Sequence, residues 1–418
     1  MDDTTRQPDS EALLLLNAGT ASLKSAIFDA CTPLPAQRPL WRGSVTDIGG
    51  ADSRWRDSEG GSSDLAPAAD PFLGAVACLL ARSEAWLGNR TLRAIGYRLP
   101  VAGGLDGAAL RLDDRSLDAL EAAPEPVPRY QRDALRMARV VAARWPGVPQ
   151  VASFDTWFHR TLPLAERMLP LPHRYWEAGL RRNGCHGLSF EYLAMMLPRR
   201  FGARARGRVI AAHLGSTASL CGMLRLRSVA VSPGLSPADG LMTGTGAGAL
   251  PPEAMRHLLR ELGDTAALDR LLHEEAGLLG VSGASADPQV LLRRETQGGP
   301  AAERAGAALA LYVRQVVREV GAIAAVLGGL DILVFTGGVG EHDTLLRQRI
   351  CAALGGLGVQ LDARLDASNA RCISPAGSTV TVAIEATCEE WVMSRDCMVL
   401  TSPLAHPATV RGPGTPVA

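Results

Sequence analysis

The residues best suited to chemistry lie in short glycine-rich stretches. Residues 17–24 read Asn-Ala-Gly-Thr-Ala-Ser-Leu-Lys, 213–219 read His-Leu-Gly-Ser-Thr-Ala-Ser, and 336–342 read Thr-Gly-Gly-Val-Gly-Glu-His. Successive backbone N–H groups in such turns form a positive concavity that can hold an anion. In the first stretch Asn17, Gly19, Thr20, Ser22 and Lys24 crowd one turn, where Asn17 and Lys24 could meet a phosphate or a hydrated metal. The same residues also suit an ordinary β-hairpin. The third stretch leaves a buried strand and enters a helix, an arrangement that places nucleotide phosphates at a helix N-terminus. A plain strand-to-helix connection has the same composition. The chain has no Gly-Lys pair, which excludes a Walker-type phosphate loop.

Charged and imidazole side chains fall beside these loops. Phe-Asp-Thr-Trp-Phe-His (154–159) puts Asp155 at the end of a strand, and His213 ends another. Arg-Arg-Asn-Gly-Cys-His-Gly (181–187) sets two arginines and His186 among glycines. Taken singly, each histidine also suits a structural role. Together they collect at strand ends, where open α/β sheets bind ligands. Lys24 is the only lysine; the other 42 of the 43 basic residues are arginines.

The elements that must position these groups show in the hydrophobic pattern. Strand-like runs are 13–16, 25–28, 94–97, 151–154, 209–212, 332–335 and 379–384. Helix-like stretches with apolar residues every three or four positions are 131–144, 187–199, 253–261, 302–326 and 343–354. Alternation of the two predicts α/β layers. Residues 13–29 resemble 209–225, each an apolar strand, a Gly and Ser/Thr turn, an Ala-Ser-Leu and a second strand, which suggests two homologous halves of about 200 residues. Segment 49–64 reads as a surface loop, 1–11 as a disordered leader and 405–418 as a flexible tail.

Composition limits the function classes. Formal net charge is zero, so no global field favours nucleic acid or an anionic membrane. The apolar run 12–16 is too short for a signal core or a membrane span. The eight cysteines show no zinc-type spacing and are expected to be reduced thiols in the cytoplasm.

Nine motifs in order identify a resemblance to the acetokinase family. They are NAGTASLK, GYR, FDTWFH, RRNGCHG, HLGSTAS, SPADGLMTGT, GLLGVSGASAD, GGLDILVFTGGVGE and TCEEWVMSRD, spread from about Leu13 to Asp396. The resemblance implies an α/β fold of duplicated ribonuclease H-like (actin-like ATPase) domains with a nucleotide cleft between them. The expected boundaries are 12–157 plus 391–404 for the carboxylate and metal side and 158–390 for the nucleotide side. The implied activity is Mg²⁺- or Mn²⁺-dependent phosphoryl transfer from ATP to acetate or another short-chain carboxylate, giving acyl phosphate and ADP. By motif position, the catalytic residues would be Asp155, His186 and Arg98. Lys24, Ser22, His213, Gly215, Asp287, Gly338 and Gly340 would bind nucleotide and phosphate. Arg98 and Pro237 would bind substrate, and Asn17 with Glu389 would hold the metal. A homodimer with no nucleic-acid or membrane partner is expected on the same ground.

The departures from the family pattern are specific. The family's GHRVVHGG is here Gly-Tyr-Arg-Leu-Pro-Val-Ala-Gly-Gly (96–104), with Tyr97 and Val101 in place of histidines. Its Pro-Leu-His-Asn-Pro segment is here Ala-Ala-Pro-Glu-Pro (122–126). Cys185 replaces a phenylalanine, Ser216-Thr217 an Asn-Gly pair and Gln289 an arginine. In Thr243-Gly244-Thr245-Gly246-Ala247-Gly248-Ala249 the family reads Met-Gly-Thr-Arg-Ser-Gly-Asp, so Gly246 stands where a second active-site arginine belongs. Leu99, Pro100 and Val101 could reshape the acyl pocket, and Arg181 or Arg182 could replace the missing charge. A catalytically weakened paralogue, binding nucleotide or acyl phosphate as a sensor or partner subunit, is therefore the alternative to an active kinase.

Overall fold

The apolar run near the start of the chain builds the middle of a sheet. In a computed structural model, which describes residues 10–19, 22–32, 38–50, 52–102, 107–122, 129–232, 234–236 and 239–402, β1 (Glu11–Ala18) is buried along nearly its whole length. Both its faces are covered, so its residues need not alternate with polar ones. It lies between β2 (Ser22–Asp29), antiparallel, and β6 (Thr91–Leu99), parallel. The sheet is completed by β3 (Trp41–Thr46), β4 (Arg54–Asp57), β5 (Ser62–Asp64), β7 (Ala109–Leu112) and β8 (Gln150–Phe154). The order is β5-β4-β3-β2-β1-β6-β8-β7.

The second sheet has β9 (Arg208–Leu214), β10 (Ala218–Leu224), β11 (Arg227–Val231), β12 (Ile332–Thr336) and β13 (Thr381–Ile384), ordered β11-β10-β9-β12-β13. In each sheet an antiparallel meander is followed by two strands parallel to its first member. With β4, β5 and β7 of the first sheet left aside, the remaining five strands of each sheet, numbered along their half, run 3-2-1-4-5. The weak sequence repeat thus marks a real duplication. The two hairpins differ in their turns: Ala18 faces Leu23 across the first, whereas Leu214 faces Ala218 across the second, so the second turn is one residue shorter.

The chain divides into two compact units. The first comprises the described residues up to Trp157 and those from Cys388 onward; the second is Phe158–Thr387. The first packs its core around Leu14, Leu16, Ile27, Leu79, Tyr97 and Val141. The second covers both faces of its sheet, with the long helix Gly299–Leu327 on one side and Phe190, Leu193 and Leu197 on the other.

Three sequence expectations change. Within segment 49–64, residues 54–64 form an edge hairpin rather than a loop, because Trp55 turns inward and is buried while Arg54 pairs with Asp64 at 2.6 Å on the outer face. Glu11 opens β1 instead of ending a leader; residues 1–9 and the tail 405–418 lie outside the described residues. The third glycine stretch is not a loop before a helix, since Gly337–His342 is itself helical directly after β12. All eight cysteines are free thiols. No described helix is long and apolar enough to cross a membrane.

Candidate active site

In the first unit, strand ends gather Asn17, Arg98, Asp155 and Glu389. Leu16 faces Tyr97 across β1 and β6, so Asn17 and Arg98 follow on neighbouring strands. Asp155 comes directly after β8, its N–H donating to the Leu99 carbonyl at 3.0 Å. Glu389 opens the helix Glu389–Leu400, where the dipole favours a carboxylate. That helix packs close to β6 because Gly96 has no side chain: a Cβ there would lie 2.8 Å from Cys397 Sγ and 2.6 Å from Leu15 Cδ2. This contact explains the glycine of the GYR motif.

Arg98 is the centre of the group. Its Nε and Nη2 donate to Asp155 Oδ2 at 2.8 and 2.7 Å, and its Nη1 lies 3.1 Å from Glu389 Oε2. Asn17 Nδ2 donates weakly to the same Glu389 oxygen at 3.4 Å. Asp155 is 2% exposed, and its Oδ1 is buried without a hydrogen bond from the protein. A buried carboxylate oxygen left in that condition is costly unless a ligand or ion meets it. Lys24 is exposed on β2 directly opposite Asn17, which turns both side chains to one face; Ser22 holds the hairpin turn, accepting from Gly19 N at 2.8 Å.

This donor set suits a hydrated Mg²⁺ or Mn²⁺. Among the described residues no group of three or more His, Cys, Asp or Glu could cage a metal. Mg²⁺ keeps several waters and takes one or two carboxylates. Glu389 and Asn17, with the orphaned Oδ1 of Asp155 near Arg98, fit that requirement.

The second unit stacks two histidines. His186 and His213 lie face to face, ring centroids 4.1 Å apart and 8° from parallel. His213, next to last in β9, lies opposite Thr336 of β12, so the loop after it adjoins the third glycine stretch. His186 precedes the helix Gly187–Phe201 in the left-handed region, φ 53° and ψ 30°. A side chain in that conformation costs roughly 1–2 kcal/mol and persists only when its surroundings hold it. They do: His186 Nδ1 meets Ser219 Oγ and its Nε2 meets Thr217 Oγ1, both at 2.8 Å.

A third, fully buried imidazole fixes the preceding peptide. His159 Nε2 donates to the Cys185 carbonyl at 2.9 Å, and its Nδ1 accepts from Ser228 Oγ at 2.9 Å. Gly184 passes flat over the ring, where a Cβ would come within 2.5 Å of His159 Cδ2. Burial lowers the His159 pKa to about 4, below the ordinary 6.5. The unfolded chain therefore takes a proton that the folded chain refuses. Stability is fully present above pH 6.5 and falls as the pH drops from there toward 4, by about 3 kcal/mol in all. His159→Gln, which keeps a donor and an acceptor but does not titrate, should flatten the fall in urea midpoint between pH 7.5 and 5. An unchanged pH slope in that variant would assign the effect to another group.

Within the second unit the second and third glycine stretches meet. A Cβ on Gly215 would lie 3.8 Å from both Gly338 N and His213 Nε2. Gly337, φ +78°, tolerates no side chain, because a Cβ would stand 2.6 Å from the Leu214 carbonyl. Gly338 faces open space, and the Gly340 carbonyl accepts from Arg347 Nη1 at 2.9 Å. Asp287 is exposed and caps the helix Pro288–Glu295, accepting from Gln289 N at 2.8 Å. Pro237 lies outside the described residues.

Comparison with known proteins bears on the family and the fold. The sequence model of the acetokinase family matches residues 12–395. The chain belongs to the acetokinase family, whose members are phosphotransferases with a carboxyl group as acceptor. It is 38% identical to an acetate kinase of Rhodopseudomonas palustris over 92% of this chain and 97% of the relative. It is 35% identical to a propionate kinase of Citrobacter rodentium over 93% and 96%. The crystal structure of Porphyromonas gingivalis acetate kinase superposes with a TM-score of 0.80 at 27% identity, covering 94% of this chain and all of that one. A propionate kinase from Francisella tularensis superposes at 0.82 with 25% identity, covering 92% and 98%. The duplicated actin-like fold expected from the motifs is therefore the fold of this acetokinase.

Set against the family pattern, three substitutions have structural counterparts. Thr217, where the family has glycine, supplies the hydroxyl at His186 Nε2. Gly246 is not merely an arginine with its side chain removed. It is buried, its N–H donates to Thr243 Oγ1 at 2.9 Å, and a Cβ would lie 2.8 Å from that oxygen. Gly277, φ +63°, packs on the same loop, its missing Cβ 2.3 Å from the Thr243 carbonyl. Thr243 replaces the family's methionine, so the two changes form one packed unit. Sequence reasoning recognised the lost charge but not this packing, nor the hydroxyls of Ser189, Thr217 and Thr387 around the histidines.

Proposed function

We propose that this acetokinase transfers the γ-phosphoryl group of ATP directly to a short-chain carboxylate, acetate or propionate first among them. A carboxylate oxygen attacks phosphorus in line, the bond to the β-phosphate bridging oxygen breaks, and ADP leaves with the electron pair. The acceptor is already an anion, so no base is needed; the requirements are alignment and compensation of charge. The observation that carries this reading is Arg98, held by Asp155 and Glu389 beside the orphaned Asp155 Oδ1. In the working enzyme Arg98 turns its guanidinium to the acceptor carboxylate and the equatorial phosphoryl oxygens. Asp155 positions it and need not take a proton.

Asn17 and Glu389, with Asp155, would hold Mg²⁺ or Mn²⁺, which when bound neutralises charge on the phosphate oxygens. Lys24 and Ser22 serve the first phosphate loop, and His213, Gly215, Gly338 and Gly340 the others. His186 contacts the transferred group, and Asp287 stands at the adenosine end. Leu99 and Pro100, both buried, and the half-buried Val101 line the acyl side, with Pro237 by resemblance. The N-terminal unit takes carboxylate and metal, and the second unit takes the nucleotide. A homodimer acting in the cytoplasm is part of this proposal and rests on the family alone.

One observation favours a second reading, a weakened paralogue that binds nucleotide or acyl phosphate as a sensor or partner subunit. The Thr243–Gly246 loop is closed on itself by hydrogen bonds and delivers no charge. ATP-dependent acyl hydroxamate formation with acetate, propionate and butyrate separates the two. Turnover on at least one acid is expected, and robust turnover excludes the sensor. No turnover with ATP binding intact would exclude the enzyme. Gly246→Arg alone should gain little, because its Cβ meets Thr243 Oγ1; Thr243→Ala with Gly246→Arg should exceed it. A large gain from the single variant would show that the loop is looser than its hydrogen bonds indicate.

A further inference from the structure

We propose that Ser189, oriented by Thr387, is a positioning residue that fixes His213 as the tautomer carrying its proton on Nε2. Five hydrogen bonds within the second unit connect these residues. Glu341 Oε1 accepts from Gly337 N at 2.9 Å, from Thr387 N at 3.2 Å and from Thr336 Oγ1 at 3.4 Å. It therefore ties the backbone of Thr387 to the start of the third glycine stretch. Thr387 Oγ1 donates to Ser189 Oγ at 2.8 Å. Ser189 Oγ lies 2.9 Å from His213 Nδ1, and a hydroxyl that has accepted from Thr387 still has its own hydrogen for that ring nitrogen.

A hydroxyl has one hydrogen to give. If Nδ1 of His213 accepts it, that nitrogen bears no proton. The neutral ring then carries its hydrogen on Nε2, the nitrogen on the Gly215 side, 3.8 Å from where a Gly215 Cβ would stand. An Nε2–H directed at the glycine loops is a donor for a phosphoryl oxygen; the opposite tautomer would turn a lone pair toward an anion. The partner of the far ring nitrogen sets which tautomer is present. Ser189 is fully buried in the first turn of the helix Gly187–Phe201, so water does not compete for the position. Thr387 stands two residues before Glu389 in the chain, and none of Ser189, Thr387 and Glu341 was singled out by the sequence motifs.

The role of the donor in turnover rests on the phosphotransfer reading, but the tautomer does not, so the test reads both. Nitrogen-15 spectra of the labelled full-length protein, with His213 assigned by its loss in His213→Asn, report which ring nitrogen is protonated. The wild type and Thr387→Ser should show a protonated Nε2 and an unprotonated Nδ1. Thr387→Val removes the donor while keeping the shape, and Ser189→Ala removes the relay; both should shift the ring toward a mixture of tautomers. In the hydroxamate assay the same two variants should lose about tenfold in kcat, the lower end of what losing an outer hydrogen-bond partner costs at a metal-ligating histidine. The KM for ATP should change less than threefold, and Thr387→Ser should restore the rate. A wild-type ring protonated on Nδ1 would overturn the proposal, as would a Thr387→Val ring unchanged from wild type. Shifted tautomers with full kcat would overturn the positioning role. If no acid is turned over by the wild type, the phosphotransfer reading fails and the spectra alone decide the tautomer.

Discussion

Replacing Arg98 with alanine is expected to lower kcat/KM for the carboxylate by about 10³-fold, the scale of a lost guanidinium in phosphoryl transfer. The geometry gives two reasons. Arg98 is the cation that bridges Asp155 and Glu389, with contacts of 2.7 to 3.1 Å, and in its absence two carboxylates face one another across the site. It is also the one guanidinium that survives of the two expected from the family pattern, since Gly246 has no charge to share the load. Arg98→Lys separates these effects. A lysine keeps one positive charge but is a point donor and cannot make the forked contact to Asp155 while reaching Glu389. It should recover part of the lost KM term and little of kcat. Asp155→Asn, which leaves the arginine but loosens its placement, should act mainly on kcat. Steady-state kinetics with the best of the three acids decides the matter. Activity of Arg98→Ala within threefold of wild type would mean that another arginine, Arg181 or Arg182 by sequence, carries the acceptor.

The course of the strands was legible because burial on both faces leaves a continuous apolar signature, as in Leu13–Leu16 and Ile332–Phe335. These motif glycines were legible because a close approach admits only one residue type: Gly337 against the Leu214 carbonyl, Gly96 beneath Cys397. Edge strands were not. The stretch containing β4 and β5 is rich in Gly, Ser and Asp, and one inward tryptophan is too weak a periodicity to outweigh that composition. The hydroxyl relays were hidden for a different reason. Serine and threonine are common everywhere, and the link from Thr387 to Ser189 joins residues 198 positions apart, so no local spacing announces it. The Gly246 change was visible as an absence, but whether an absence leaves a hole or a packed loop depends on Thr243 and Gly277, which only the folded chain brings against it.

The second large effect concerns Arg347, another residue without a motif to mark it. It is 1% exposed and its partner Asp366 is fully buried. Arg347 Nε donates to Asp366 Oδ1 at 2.7 Å, Nη1 to the Gly340 carbonyl at 2.9 Å and Nη2 to Asn369 Oδ1 at 3.2 Å. Arg347→Met should destabilise the protein by about 3–5 kcal/mol, because it strands a buried carboxylate. The pair itself need not be stabilising. Two charges taken from water repay their desolvation only with good geometry, and a well-packed apolar replacement is often no worse. Arg347→Met with Asp366→Leu should therefore recover much of the loss. Recovery of ATP binding should not follow, because the double variant still lacks the donor to Gly340, whose carbonyl belongs to the short helix of the third glycine stretch. Urea unfolding and ATP titration of both variants check the two halves. A double variant no more stable than the single would show that the stranded Asp366 charge is not the source of the loss. Wild-type ATP affinity in the refolded double variant would show that Arg347 serves the fold alone and leaves the Gly340 turn to hold itself.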